Sequence, residues 1–190
     1  MSFTPFDILT AAEMNDLVEN IEALAAGTAF AANAILNAAI ANDAVASRNI
    51  DYVDFPSVIA NTTTAQTLVS GAFGTVIFTV EVEDNTNSYN NATGVFTVPT
   101  GKGGKYVVNS TTRIAGLASQ TIALAVYKNG VEVYRGTQND GISGAAALFC
   151  NTVLVLVPTD QVTIRGLVVG TNRNLDAGSF PTLIIYKKSD

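Results

Sequence analysis

The side chains that could bind a metal ion or transfer a proton are sparse in this sequence, and the densest group is a run of carboxylates. Glu81, Glu83 and Asp84 lie close together along the chain. Hard cations such as Ca²⁺ bind several oxygen ligands, so a cation site is one interpretation of the group. On a β-strand, Glu81 and Asp84 would point to opposite faces, because side chains alternate along a strand. We therefore interpret the group as a solvated strand end without a metal.

Two glycine-rich segments resemble catalytic motifs but lack residues that the chemistry needs. Asp140–Gly144 contains a serine between glycines, but the chain has no histidine to activate it. Gly101–Lys105 resembles half of a phosphate loop, but it lies between expected strands and opens no helix. Cys150, the single cysteine, lies in the most apolar run, so we expect a small buried hydrophobe. We predict neither enzymatic activity nor a cofactor.

Composition narrows the possible functions further. The chain has 190 residues, 48% of them apolar and 14% charged, which is enough for one buried domain and an appendage. The absence of histidine excludes Ser-His-Asp and Cys-His catalysis, and one cysteine excludes an internal disulfide. A net charge of −6 argues against nucleic acid as a partner, because nucleic-acid grooves carry a basic face.

The net negative charge of the chain comes from one end. Residues 1–55 contain eight acids and one base, whereas residues 56–190 contain eight acids and nine bases. Such asymmetry indicates an acidic tail with its own partner. The N-terminus lacks the basic region of a signal peptide, so we expect no signal peptide. The uncharged stretches are too polar or too rich in alanine to cross a membrane, so we expect no membrane span.

The tail begins with a helix whose start is well marked. Thr10 and Glu13 form a capping box, and Gly27 is a plausible end. The apolar residues that follow the cap repeat with a 3-4-3 spacing: Met14, Leu17, Ile21 and Leu24. An isolated helix of this length is marginal in water. It must therefore pack against sister copies, against a partner, or against this chain's own globular domain.

The next segment, residues 28–64, is rich in alanine. Its apolar spacing drifts from helical to irregular, so we interpret it as a helix or a loosely wound stalk. Alanine surfaces bury little area each and suit close packing of several identical chains. The polar run 61–64 predicts a hinge into the following domain.

Residues 65–190 are typical of an all-β domain. Alternating, β-branched runs follow one another, as in Val76–Val82 and Gln161–Val169. Asn129 and Gly130 separate two such runs, which is a strong signal for a two-residue hairpin. About eight strands without an amphipathic helix predict a sandwich or jelly roll.

The β part carries a resemblance to a known family. Phe78, Asp84, Tyr89 and Phe96 match an aromatic spacing pattern, and Gly104-Lys105-Tyr106 supplies its Gly-x-Tyr pair two residues late. Four longer segments match further family patterns in the correct order: Tyr89–Pro99, Val126–Gly130, Val153–Val162 and Ser179–Tyr186. The stretch resembles the C1q globular domain, a class of jelly rolls shared with tumour necrosis factor (TNF).

This resemblance implies a mainly β, ten-stranded jelly roll that forms a homotrimeric knob, the three copies meeting about a three-fold axis through one sheet. It implies that the pattern aromatics lie in the core or at the trimer seam rather than at a ligand: Phe78, Tyr89, Phe96, Tyr106 and Tyr186.

The N-terminal part carries a second resemblance, to a different class of proteins. Thr4–Asn15 is similar to the openings of tailed-bacteriophage structural proteins, and Ala44–Asp51 resembles their stalk sequences. The resemblance implies that residues 1–27 anchor the chain on another virion protein, in the capsid, near the portal or in the tail. The expected anchor residues are Phe3, Phe6, Leu9, Met14, Leu17, Ile21 and Leu24.

Anchor (1–27), stalk (28–64) and knob (65–190) together form the plan of a virion fibre made in the bacterial cytoplasm. The knob would attach to the host surface, a glycan included, through the loops Leu117–Gln120, Gln138–Gly144 and Gly170–Gly178. The expected contact residues are Ser119, Gln138, Asn139, Asp140, Asn172, Arg173 and Asn174. Two alternatives remain: a capsid decoration or head-fibre protein without an essential receptor role, and a free C1q-like carbohydrate-binding module.

Overall fold

A computed structural model of the chain describes residues 54–189 and, near the N-terminus, Met14, Asn15, Val18 and Glu19. The chain divides into two units, Met1–Ile50 and Asp51–Asp190. The four described residues of the first unit are helical and exposed, within the stretch for which a helix is predicted. Among the described residues, no helix is both long and apolar enough to cross a membrane. The other six anchor residues and the segment 28–53 lie outside the described residues.

The described part of the second unit forms eleven strands. They are β1 (Ser57–Thr62), β2 (Gln66–Leu68), β3 (Gly74–Thr75), β4 (Val80–Asp84), β5 (Tyr89–Asn90), β6 (Val95–Thr97), β7 (Gly104–Lys128), β8 (Val131–Leu156), β9 (Gln161–Val169), β10 (Arg173–Leu175) and β11 (Gly178–Ser189). All of the pairings between them are antiparallel.

The two longest strands, β7 and β8, take part in both sheets of the sandwich. The first half of β7 pairs with β11 and with the end of β8, and its second half pairs with β9 and with the beginning of β8. Sheet I therefore has the order β4-β1-β11-β7-β8, and sheet II the order β8-β7-β9-β6-β5. Bulges between Ile114 and Ile122 let the ladder bend from one sheet to the other. The predicted mainly β jelly roll is confirmed.

The core lies between the inner faces of the two sheets. Along β7, residues 106, 108, 110, 112 and 114 are buried, while the residues between them face outward. Phe78, Phe96 and Tyr106 are fully buried, and the rings of Phe96 and Tyr106 lie 5.7 Å apart. Burial of one such side chain contributes about 1.5–3 kcal/mol. The alternation of apolar and polar residues in the sequence thus assigns the faces of the long strands correctly.

The β domain begins upstream of the predicted boundary at residue 65. Strand β1 (57–62) lies between β11 and β4, with Val58 opposite both Ile185 and Asp84. Val58 and Ala60 are fully buried. The run 61–64 is therefore not a hinge in front of the domain, because residues 61 and 62 belong to β1. The short, small-residue sequence of β1 carries too weak an alternation to be recognised beside the alanine-rich segment that precedes it.

The two halves of β8 meet along one edge of the sandwich. The Thr137 hydroxyl accepts a hydrogen bond from the Phe149 amide (3.0 Å) and donates one to the Phe149 carbonyl (3.2 Å). A Cβ atom at Gly136 would lie 2.1 Å from that same carbonyl oxygen, so this close approach requires glycine. The contact covers strand edges that would otherwise be open to pairing with another chain.

The buried carboxylate of Asp160 connects two turns, the one between β7 and β8 and the one between β8 and β9. Asn129 (φ 50°) and Gly130 (φ 81°) form the predicted hairpin turn. The Asn129 amide donates to Asp160 Oδ1 (2.7 Å), and the Val157 amide donates to Asp160 Oδ2 (2.8 Å). Lys128 forms an ion pair with the same carboxylate at 2.8 Å. Burial by itself would raise the pKa of Asp160, but the hydrogen bonds from Lys128, Val157 and Asn129 outweigh it and hold the pKa below its usual range.

We expect Asp160→Asn to destabilise the domain by about 1–3 kcal/mol at pH 7, because the charged acceptor of these bonds is lost. A lowered folded-state pKa stabilises the native chain above the unfolded carboxyl pKa, about 3.9, and the gain disappears as pH falls through the folded value. In urea unfolding, the difference in stability between wild type and Asp160→Asn should therefore be smaller at pH 3 than at pH 7. Asp140→Asn, at an exposed carboxylate without an ion pair in the described part, is the control. Equal midpoints of Asp160→Asn and wild type at pH 7 would contradict the assignment.

Candidate interaction surface

Four of the five pattern aromatics lie inside the sandwich. Phe78, Phe96 and Tyr106 are fully buried and Tyr89 is 4% exposed. The Tyr89 hydroxyl accepts a hydrogen bond from the Phe78 amide at 3.0 Å, and burial raises the pKa of Tyr89 to about 12. The fifth, Tyr186, faces outward from sheet I and is 42% exposed. The four buried rings therefore hold the fold, and only Tyr186 is available to a partner.

Asp84, the carboxylate of the pattern, organises the loop that follows β4. Its carboxylate accepts hydrogen bonds from the amides of Tyr89 (2.8 Å), Ser88 (3.0 Å) and Thr86 (3.2 Å). Glu81 and Glu83 are exposed. In the part of the chain that the structure describes, no three His, Cys, Asp or Glu side chains are close enough together to hold a metal ion.

Two of the three expected receptor loops are strands. Leu117–Gln120 lies within β7 and Gln138–Gly144 within β8, and the two segments pair, with Leu117 opposite Gly144. The prediction of loops here was wrong, because glycine, serine and asparagine were taken as turn signals. In the structure, such residues take up positive φ at bulges, as Ser119 does at 53°, and the strands continue past them.

The structure nevertheless brings the three segments together at one end of the sandwich. The Gln120 side chain, 2% exposed, donates to the Thr171 carbonyl (2.8 Å) and accepts from Arg173 Nε (2.6 Å). The Ser119 amide donates to the Ser143 hydroxyl at 3.0 Å. Gln120 thereby holds the segment after β9 against the β7–β8 corner.

Several of the expected receptor residues form hydrogen bonds within the chain. Asn172 accepts a hydrogen bond from the Ser70 amide, and Asn174 accepts one from the Thr67 hydroxyl. Gln138 accepts one from Arg135. Of the seven, Ser119, Gln138, Asp140, Asn172 and Asn174 are exposed, while Asn139 and Arg173 are half-buried.

The outer face of sheet I carries a continuous set of uncharged residues. Directly paired residues of an antiparallel sheet point to the same side, so the strand register defines three rows across β1, β11, β7 and β8. The rows are Ser57, Tyr186, Val107, Val153; Ile59, Ile184, Asn109, Asn151; and Asn61, Thr182, Thr111, Phe149. None of these twelve residues is charged, and we call them the uncharged face.

The uncharged face has the anatomy of a protein interface. Phe149 and Val153 are 51% and 52% exposed. Charged side chains occur at its margins, where Glu83 is paired with Ile59 and Lys105 with Val155. A sheet face exposed to water normally carries charged as well as polar residues, whereas a depletion of charged residues is typical of the centre of association surfaces.

The outer face of sheet II is different, because the chain's own side chains cover it. Tyr127 lies against Phe73 (ring centroids 5.7 Å apart) and beneath the Arg165 guanidinium, which is 4.3 Å from its ring centroid. Arg135 lies over Phe73 and forms two hydrogen bonds with Glu132 (2.8 and 2.7 Å). This face is therefore already packed and charged.

The architecture is shared with solved structures of the C1q and TNF classes. The globular domain of zebrafish complement 1qA protein has a TM-score of 0.52 at 17% identity, covering 72% of this chain and 98% of its own. Eiger TNF from S. frugiperda has a TM-score of 0.56 at 12% identity, with 72% and 94% covered. Murine APRIL at pH 8.0 has a TM-score of 0.53 at 12% identity, with 70% and 99% covered. Identities this low establish the fold alone.

No protein-family model matches the sequence, and no curated protein matches it either. The predicted C1q/TNF-like jelly roll is thus confirmed as a fold. The interpretation of residues 1–27 as a phage anchor stays a prediction.

Sequence reasoning missed the uncharged face, although a signal for it exists. Outward positions 107, 109 and 111 of β7 and 149, 151, 153 and 155 of β8 are all uncharged. This pattern becomes informative only when the strands are known to be neighbours, since each strand by itself shows an ordinary alternation.

We expect Gln120→Ala to loosen the segment 170–175, because its buried hydrogen bonds to Thr171 and Arg173 are lost. Hydrogen–deuterium exchange should accelerate in that segment, and the free energy of unfolding should fall by about 1–3 kcal/mol. Gln138→Ala serves as the control, because the Gln138 side chain is exposed and, within the described residues, its hydrogen bond is with Arg135. Unchanged exchange at 170–175 in Gln120→Ala would rule out this anchoring role.

Proposed function

We propose that this chain is a structural protein of a bacteriophage virion: a homotrimeric appendage that is fixed to the particle by its N-terminal segment and presents its β domain to the host surface. The observation that carries the proposal is the uncharged face of sheet I. It offers a self-association surface on a fold of the C1q/TNF class. The acidic segment of residues 1–55 supplies a separate attachment element.

A second copy of this chain is the occupant that suits the uncharged face best. Asparagine amides and threonine hydroxyls both donate and accept hydrogen bonds, so they can meet the same residue types in another copy. A like-charged pair, in contrast, would repel. Burying the exposed Val153 and Phe149 against another copy removes apolar area from water, which contributes about 25 cal/mol per Å². The three-fold arrangement itself follows from the resemblance to the C1q class.

The N-terminal unit provides the link to the particle in this proposal. Residues 1–27 dock on another virion protein, as the similarity of Thr4–Asn15 to phage structural proteins implies. Because the net negative charge of the chain comes from residues 1–55, the segment that docks is acidic, whereas the part that faces outward is nearly neutral. The proposed location is therefore the virion.

The uncharged face can be tested with a matched pair of valines. Val153 lies on this face and is 52% exposed, whereas Val131 is 66% exposed at the start of β8, outside the face. In Val153→Asp, association would bury a carboxylate, which is costly without a partner. Light scattering during size exclusion should give three chain masses for the wild type and Val131→Asp, and a shift toward the 19.8-kDa monomer for Val153→Asp. A monomeric wild type, or identical masses for both variants, would contradict the proposal.

Attachment to the particle can be tested by deleting residues 1–27. We expect the shortened chain to remain trimeric and to be absent from purified virions, because the docking segment is lost. Immunogold labelling of wild-type particles should place the protein on the tail for a fibre, whereas labelling of the head would favour the decoration role. A shortened chain that still decorates particles would refute the anchor.

A further inference from the structure

A cleft of about 580 Å³ lies at the edge of the sandwich opposite β8. It is bordered by Glu81 on β4, by the loop of residues 86–91, by β6 and the turn that follows it, and by Thr159 between β8 and β9. Small-molecule sites typically occupy 300–1,000 Å³, so the volume suits a small ligand. The cleft shares none of its lining residues with the uncharged face or with the expected receptor residues.

Most of the side chains that line the cleft are polar and neutral. Asn87, Asn91, Thr97 and Thr100 line it, and within residues 54–189 none of these four side chains takes part in a hydrogen bond. No lysine or arginine lines the cleft, and Glu81 is its single charged residue. Apolar side chains such as Val98 and Pro99 complete the wall. The cleft therefore offers several amides and hydroxyls that can donate and accept, beside a small apolar surface.

The loop that carries these groups is held rigidly. The Asp84 carboxylate binds three of its backbone amides, and the Tyr89 hydroxyl is fixed by the Phe78 amide. Asn90 Oδ1 accepts from the amides of Ala92 (3.0 Å) and Thr93 (3.1 Å), which shapes the turn after β5. A wall that is already ordered loses less conformational freedom when a ligand binds.

Two residues with positive φ line the same cleft. Asn87 has φ 51° and Thr159 has φ 73°. Asparagine tolerates this region, but a β-branched residue there is an outlier. Hydrogen bonds from the Thr159 amide to the Val98 carbonyl (2.9 Å) and from the Asp160 amide to the Val157 carbonyl (3.1 Å) hold the turn. Glycine would fit this turn without strain, so the threonine places a hydroxyl at the cleft at the expense of local stability.

We propose that this cleft binds a neutral sugar unit of a host-surface glycan, an inference that rests on the host-attachment role proposed above. Sugar hydroxyls need closely spaced groups that donate and accept, which the amides of Asn87 and Asn91 and the threonine hydroxyls supply. An anionic sugar is disfavoured, because Glu81 would repel it and no cation in the lining would compensate. An apolar ligand is disfavoured by the unpaired amides, which would lose water without gaining a partner.

Saturation-transfer NMR on the full chain tests the site, with D-glucose, D-galactose, N-acetyl-D-glucosamine and L-rhamnose as probes and glucose 6-phosphate as the charged comparison. At least one neutral sugar should give a signal that falls fivefold or more in Asn91→Ala. Thr63→Ala is the control, since Thr63 is an exposed polar residue that does not line the cleft and is not among the expected receptor residues. No signal from any neutral sugar, or equal signals in the two variants, would overturn the assignment, as would a stronger signal from the phosphate.

Thr159→Gly distinguishes a binding role from a structural one. The glycine should raise the melting temperature, because it relieves the positive-φ strain, yet reduce the sugar signal at least threefold. A raised melting temperature with an unchanged sugar signal would show that Thr159 is not part of the site.

Retention on host envelope fractions separates this inference from the attachment role. Wild type and Asn91→Ala binding equally well to envelopes would overturn the sugar site and leave attachment standing. A cleft-dependent sugar signal without envelope binding would support the site and refute host attachment.

Discussion

The continuous pairing of β7 with β8 is the interaction on which the rest of the structure depends. The ladder runs from Gly104 opposite Leu156 to Lys128 opposite Val131, and it changes sheets in its middle. Because both strands belong to both sheets, one hairpin sets the separation, the twist and the relative position of the two layers. The other strands extend the two sheets from this hairpin: β11 pairs with the first half of β7, and β9 pairs with its second half.

This ladder also decides which surfaces remain for partners. It places β8 at one edge of both sheets, where Gly136 lets its halves close together, and leaves the edge formed by β4 and β5 to carry the cleft. Sheet II is covered by the chain's own aromatic and arginine side chains, whereas sheet I is not. The cleft shares none of its lining residues with the uncharged face, so the surfaces proposed for self-association and for a ligand are built from different residues.

A few polar residues position the loops and turns around this apolar core. Asp84 shapes the loop at the cleft, Asp160 joins two turns, and Gln120 fastens the segment after β9. Each acts through buried or half-buried hydrogen bonds, which are costly to leave unmade. Asp84 and Asp160 also lie in the segments by which the sequence resembles the C1q class. That similarity therefore reflects the structural needs of the jelly roll, and it carries no information about the ligand.

The sequence by itself determined the β class, the faces of the long strands and the Asn129-Gly130 turn, because alternation and turn chemistry are local properties of the chain. It also determined the exclusion of histidine-dependent chemistry and the origin of the net negative charge in residues 1–55. Only the tertiary structure decided that Ser119 and Gln138 lie in strands and that β1 belongs to the sheet. It alone showed that β7, β8 and β11 align their uncharged residues, and that Asn87 and Thr159 meet at one cleft. These features depend on pairing between distant segments, which no local pattern encodes.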